Sequence, residues 1–377
     1  MNDLHLVRGV YDDPPPPSDQ ATAAARARML SQDDTARPRS RRAWRLPVGL
    51  LAAATAAATA AAVVAGVTLT TGAPPPRTGV QAVPADARSP RGMMLAAASQ
   101  AERQRQGPYW YSHQRTAFAT LARGRTGGYV VEERHEYFMW TGRARGDGNS
   151  FYGRTFAGGP QTGADADAWR AAGSPSSWTV RSSGVTRTVS ATSGAWQEDD
   201  PDDQGGGVFH IPGLGQFTYQ ELQELPTDSA GLYELLCEGS VRFLGGGSGA
   251  PKRCDKPKKV LDQAFSVLTG TPVPPKVRAG LMRLITDYPG VRRLGAVTDP
   301  LGRPAVGLAA SFETADGRGT LQEEVLFDQR TGKVLGRRHV QLEPGPNSEK
   351  WQVPGRTLDS WLIMDSGWSD AKPALPG

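Results

Sequence analysis

The sequence predicts an α+β protein: a single transmembrane helix, then an extracytoplasmic domain built on a curved antiparallel sheet with helices on one face. Three observations predict it. An uncharged stretch of membrane-spanning length follows a cluster of arginines. Two segments rich in aromatic and β-branched residues flank a glycine-rich turn at 123–128. Late in the chain, a helical pattern is followed by four strand patterns punctuated by turn signals.

Residues 1–45 form a cytoplasmic arm, partly disordered. Leu4, Val7 and Tyr11 fall at helical spacing, Pro14 to Pro17 force an extended break, and a second helical pattern ends at Met29 and Leu30. These five apolar residues are the candidate partner-binding surface of the arm. The transmembrane helix is placed at 46–71. No charged residue occurs between Leu46 and Pro76, and ten of the 24 residues from Leu46 to Leu69 are Ala. As a helix, 24 residues would span about 36 Å against a hydrocarbon core of about 30 Å. Arg37, Arg39, Arg41, Arg42 and Arg45 lie on its N-terminal side and place the N-terminus inside the cell. A buried Ala-rich helix and a cleaved twin-arginine export signal are the competing readings of the same stretch.

Residues 72–88 read as a Pro-rich linker, 89–366 as the extracytoplasmic domain and 367–377 as a C-terminal tail. Within the domain, Ser89-Pro90 opens a helix that runs to Gly107-Pro108. The hairpin strands are expected at 109–121 and 129–140. Weaker strand signals lie at 151–156 and 178–189, and 198–204 reads as an acidic loop. Helices are expected at 219–225, 228–237, 258–268 and 275–288. A meander follows at 291–298, 305–312, 321–328 and 333–341. The helix at 275–288 is expected to pack across a sheet that unites hairpin and meander.

Composition narrows function. The chain has 35 Arg and 8 Lys, and its sequence pI is about 9.3. The basic excess is nonetheless thin: residues 77–377 carry 35 basic and 32 acidic side chains. Neither part has the charge surplus that phosphate-backbone binding needs, so no nucleic-acid partner is expected. Hydrolase, zinc-protease, P-loop and dinucleotide motifs are absent, and no enzyme activity or cofactor is expected. His135-Glu136 begins like a zinc-protease motif, but Met139 stands where the second His belongs. The segment Asp200 to Gly205 resembles part of a calcium loop, but Ile211 occupies the position of the bidentate Glu. Tyr109, Tyr111, Phe138 and Trp140 are candidates to line a cavity. His113 and His135 could face each other across the hairpin. Cys237 and Cys254 are the only cysteines, and in an oxidising compartment such a pair is expected to bridge, closing the loop that carries Gly245 to Gly249. Two free thiols are the alternative.

The stretch VRAGLMRLITDYPGVRRLGAVTDPLGRPAVGLAASFETADG, followed by LFDQRTGKVLGRRHV, resembles the C-terminal half of a family of actinobacterial single-pass membrane proteins of uncharacterised function. PYWYSHQRT and LPTDSAGLYELL fit the same pattern. Members are often encoded beside extracytoplasmic-function sigma factors. The resemblance implies an envelope or signalling role at the cell membrane and assigns no catalytic residue. The order of helix and antiparallel strands is also similar to the half-barrels of lipoprotein carriers and periplasmic sigma regulators. Two functions follow as expectations. One is a regulatory or sensory membrane protein whose arm meets a cytoplasmic partner such as a sigma factor. The other is an extracytoplasmic carrier or binder of an apolar ligand such as a lipid.

Overall fold

The computed structural model describes residues 88–124, 127–182, 185–211, 214–238, 254 and 256–377. All fall in a unit spanning Arg77–Gly377; a second unit, Met1–Pro76, lies outside the described residues. The transmembrane stretch, the flanking arginines and the arm residues Leu4, Val7, Tyr11, Met29 and Leu30 therefore lie outside them as well. Among the described residues, no helix is long and apolar enough to cross a membrane.

The long hairpin forms as β1 (Tyr109–Gly124) and β2 (Gly127–Gly142), paired antiparallel along their whole length. β3 (Asn149–Pro160) continues the sheet beyond β2. The hairpin β4 (Ser177–Ser182) and β5 (Val185–Ser190) folds separately, and β6 (Gln197–Asp202) pairs with β3 as an edge strand. A second small hairpin joins β7 (Val208–Ile211) to β8 (Gly215–Thr218). The meander comprises β9 (Arg292–Thr298), β10 (Pro304–Glu313), β11 (Gly319–Phe327) and β12 (Val334–Pro344). The last strand, β13 (Thr357–Ser369), pairs with β1 on one side and β12 on the other. It unites hairpin and meander into one nine-stranded antiparallel sheet, in the order β6-β3-β2-β1-β13-β12-β11-β10-β9.

Two of the helices cover one face of this sheet. α1 (Pro90–Ala101) begins where Ser89 Oγ accepts a hydrogen bond from Gly92 N at 3.0 Å, with Pro90 at the first helical position. It ends at Ala101, short of the expected Gly107. α2 (Gly163–Ala171), α3 (Tyr219–Gln223) and α4 (Ser229–Tyr233) are short, and α4 runs into a π-helical turn at Glu234–Glu238. α5 (Pro257–Gly270) and α6 (Pro275–Asp287) are the amphipathic helices that the sequence pattern predicts. α1 and α5 lie on the sheet, while α6 packs against α1, α4 and α5. The expectation that α6 itself crosses the sheet is corrected: its apolar residues are spent on other helices.

The main core sits between helices and sheet. Met94 of α1 and Phe265 of α5 share one buried cluster with the sheet residues Val306, Leu308, Val325, Phe327 and Ile363, and Leu281 and Ile285 extend it among the helices. A close approach at Gly332 requires glycine: its φ is 67°, and a Cβ there would lie 2.3 Å from Ala97 O in α1. Cys237 and Cys254 form a disulfide, with a Cα–Cα separation of 4.9 Å, tying the π-turn to the segment before α5. The loop between them, residues 239–253, lies outside the described residues.

Three further expectations are corrected. The acidic segment 198–204 is mostly strand, because an edge strand leaves one row of backbone groups in water and tolerates charged side chains. α2 was not expected. The tail is not separate: β13 runs through to Ser369, and Trp196 Nε1 donates to Pro376 O at 3.1 Å.

Candidate functional site

Strand alternation assigns side chains to the two faces. The register pairs Arg115 with Glu136 and Leu362, and Ala117 with Arg134 and Ser360. These residues share the face opposite the helices. On that face, two loops rise above the sheet. One is the β9–β10 turn, held by Arg303, which donates to Asp299 Oδ2, Ile363 O and Leu335 O at 2.6, 2.8 and 2.9 Å. The other is the segment 351–356 before β13.

Between loops and sheet lies a partly enclosed cavity of about 540 Å³. Its floor is Arg115, Ala117, Arg134, Arg338, Ser360 and Leu362, and its walls include Gln161, Thr162, Leu301, Val353 and Arg356. Leu301 and Val353 are 40% and 44% exposed and stand at this cavity, two of the five large apolar side chains with that degree of exposure among the described residues. The volume is in the range of small-molecule sites.

The guanidiniums are held by carboxylates. Arg115 Nη2 donates to Glu136 Oε1 at 2.7 Å and Arg154 Nε to Glu136 Oε2 at 2.7 Å. Burial alone would raise the Glu136 carboxyl, but these two arginines outweigh it and hold it below the usual carboxylate range. Arg115 also stacks on Phe156, 3.8 Å from the ring centre. Arg134 is held by Glu132, with Nη2 at 2.8 Å, and Arg338 by Glu324, with Nε at 2.8 Å. Arg356 Nη1 reaches Asp165 Oδ2 and Gln161 Oε1, both at 3.1 Å. Asp165 opens α2 through a capping box with Thr162 and accepts from Val130 N at 2.9 Å. Burial raises its carboxyl, but bonds from Thr162, Val130 and Arg356 carry it below the ordinary value.

The expected cavity residues lie elsewhere on the same face. Trp140 and Phe138 are both 3% exposed, Tyr109 meets Trp140 edge-on at 6.0 Å, and Tyr111 meets Phe138 at 6.4 Å. Tyr111 donates to Asp365 at 2.7 Å, and burial together with that carboxylate pushes its hydroxyl up to about 12. Lys372 of the tail lies 4.4 Å over the Trp140 ring. The four rings thus pack in two pairs, Trp140 of the first under Lys372 of the tail, and none of them lines the arginine-floored cavity. His113 and His135 do not meet: their partners in the register are Phe138 and Thr116, which puts the two rings on opposite faces.

A second polar cluster lies between α5 and the sheet. Glu323 is fully buried and faces Lys258 Nζ at 3.3 Å and His339 Nε2 at 3.3 Å. His339 Nδ1 lies 2.9 Å from Asp359 Oδ1, and Arg337 Nη1 lies 2.8 Å from Asp262 Oδ1. Burial disfavours the charged His339 ring, but Asp359 and Glu323 push its pKa up to about 9. Among the described residues, no group of three or more His, Cys, Asp and Glu is arranged to hold a metal ion.

Sequence reasoning missed the arginine-floored cavity because its residues come from six separate segments. One signal was available: Thr162-Gly163-Ala164-Asp165 is a capping-box pattern that would have announced α2.

The class that fold and site define is an α+β domain with a ligand-sized cavity on the uncovered face of its sheet. No protein-family model matches this chain, and no curated protein is similar to it. Among solved structures, it is matched with a crystal structure assigned to an outer membrane lipoprotein-sorting protein domain from Vibrio parahaemolyticus. The match has 10% identity and a TM-score of 0.15, and covers 76% of this chain and 95% of the other. A score that low carries no argument about fold or function.

Proposed function

We propose that this chain is a membrane-anchored, extracytoplasmic binding protein and not an enzyme, and that its outer unit holds a small amphipathic molecule in the cavity between β13 and the two overlying loops. The observation that carries this reading is the pairing of Leu301 and Val353, exposed at the mouth, with a partly enclosed space of about 540 Å³ behind them. Apolar side chains held in water at the rim of a cavity gain by covering: each is worth about 1.5–3 kcal/mol when fully buried. The space between helices and sheet, where a carrier would be expected to hold its ligand, is filled here by packed side chains such as Phe265, Leu308 and Phe327. The ligand site proposed is therefore on the opposite face. The regulatory reading depends on arm residues outside the described part of the chain and gains no support from the fold.

Titration calorimetry of the purified full-length chain with octanol tests the proposal. Binding that falls at least tenfold in a Leu301→Asp, Val353→Asp variant of unchanged thermal stability is the expected result. Absence of octanol binding by the parent chain, or equal binding by the variant, would overturn it.

A further inference from the structure

We infer that the molecule held in this cavity carries an acidic head group, a carboxylate or a phosphate, received by Arg338 and Arg356. This rests on the binding reading above and specifies its ligand. Four guanidiniums line the cavity, and each is held by one carboxylate: Arg115 by Glu136, Arg134 by Glu132, Arg338 by Glu324 and Arg356 by Asp165. Glu136 is shared between Arg115 and Arg154, which lies outside the cavity lining and also donates to Gly377 O at 3.4 Å.

The unused donors point to the same two arginines. Arg338 spends only Nε on Glu324, and among the described residues its two terminal nitrogens have no acceptor. Arg356 spends only Nη1, on Asp165 and Gln161, so its Nε and Nη2 are equally uncommitted. Arg134, by contrast, uses Nε, Nη1 and Nη2 on Glu132 and Ala157 O. The side chains of Arg338 and Arg356 are only 21% and 18% exposed, and both line the cavity. A guanidinium in such a setting is poorly served by bulk water, and its planar fork matches the oxygens of a carboxylate or phosphate. The carboxylates that hold them act as struts, fixing each fork without filling it. A neutral or cationic ligand would leave these donors unmet.

The test compares octyl phosphate, octanoate, octanol and inorganic phosphate by titration calorimetry on the full-length chain. Octyl phosphate or octanoate should bind about 10–100-fold more tightly than octanol, the range expected of charge-assisted hydrogen bonds. Removing Arg338 alone would strand Glu324, so the informative variant is Arg338→Gln with Glu324→Gln, which deletes both charges of the pair. It should lose the preference for the acidic ligand while octanol affinity stays unchanged. Octanol binding as tightly as octyl phosphate would overturn the acidic-head inference and leave the binding reading intact. Inorganic phosphate binding as tightly as octyl phosphate would uphold the arginine clamp and overturn the amphipathic reading. Binding of none of the four would overturn both.

Discussion

Arg356, on the segment leading into the last strand, donates from Nη1 to the Asp165 carboxylate at the start of α2, at 3.1 Å. The two residues are 191 positions apart, and their side chains are 18% and 9% exposed. The contact ties a wall of the cavity to a helix fixed by its own capping box.

Breaking that tie should loosen the wall before it unfolds the domain. Asp165→Ala leaves Arg356 without its carboxylate and Val130 N without an acceptor. A loss of about 2–4 kcal/mol is expected in urea unfolding. Asp165→Asn keeps one acceptor and should cost about half as much. Unchanged midpoints in both would refute this account of α2.

Stability should fall as pH rises above neutral, because of His339. Its folded pKa, pushed up to about 9, lies above the unfolded value of 6.5. The stabilisation is therefore complete below pH 6.5 and is lost as pH rises through about 9. The charges facing the ring are Glu323 and Asp359, with Lys258, Asp262 and Arg337 behind them. His113 acts with the opposite sign, since burial lowers its pKa and stabilisation is lost in acid, below its unfolded value. Melting temperature measured from pH 6.5 to 9.5 should decline, and His339→Gln should flatten that decline. A parent profile level across this window would count against it.

The Cys237–Cys254 bridge closes a loop with a sequence separation of 17. Replacing both cysteines with Ser should lower stability by about 2–4 kcal/mol in the chain-entropy account. Non-reducing peptide mapping of the purified protein should recover the two half-cystines as one linked peptide. Recovery of two freely alkylated thiols would contradict the bridge.

Core packing between sheet and helices predicts a large effect at Phe327, which is fully buried in β11. Phe327→Ala should cost about 3–5 kcal/mol. A cost below about 1 kcal/mol would mean that the helices do not rest on this strand.

Topology can be read by labelling. A cysteine placed at the exposed position Arg103 should react with an impermeant maleimide on intact cells, and one at Ser31 should not. Reaction of both would dismiss the single-span, N-terminus-inside arrangement.

Local signals in the sequence determined much of the fold. The glycine-rich break at 123–128 and its flanking aromatic and β-branched residues marked β1 and β2, because alternation and turn chemistry act over a few residues. The helical spacing of Val260, Leu261, Ala264, Phe265 and Leu268 marked α5 in the same way. The cysteine count suggested the bridge. What the tertiary structure alone decided is the joining of the two halves and the site. β13 buries Leu358, Ser360, Leu362 and Ile363 and leaves Asp359 and Trp361 half-buried, so its hydrophobic and polar residues do not sort cleanly onto two faces. The cavity is harder still to foresee. Arg115, Arg134, Arg338 and Arg356 look like ordinary surface charges in a chain with 35 arginines. Only the register of four strands and the reach of two loops bring them together. Long-range pairing sets that register, and no local stretch of sequence encodes it.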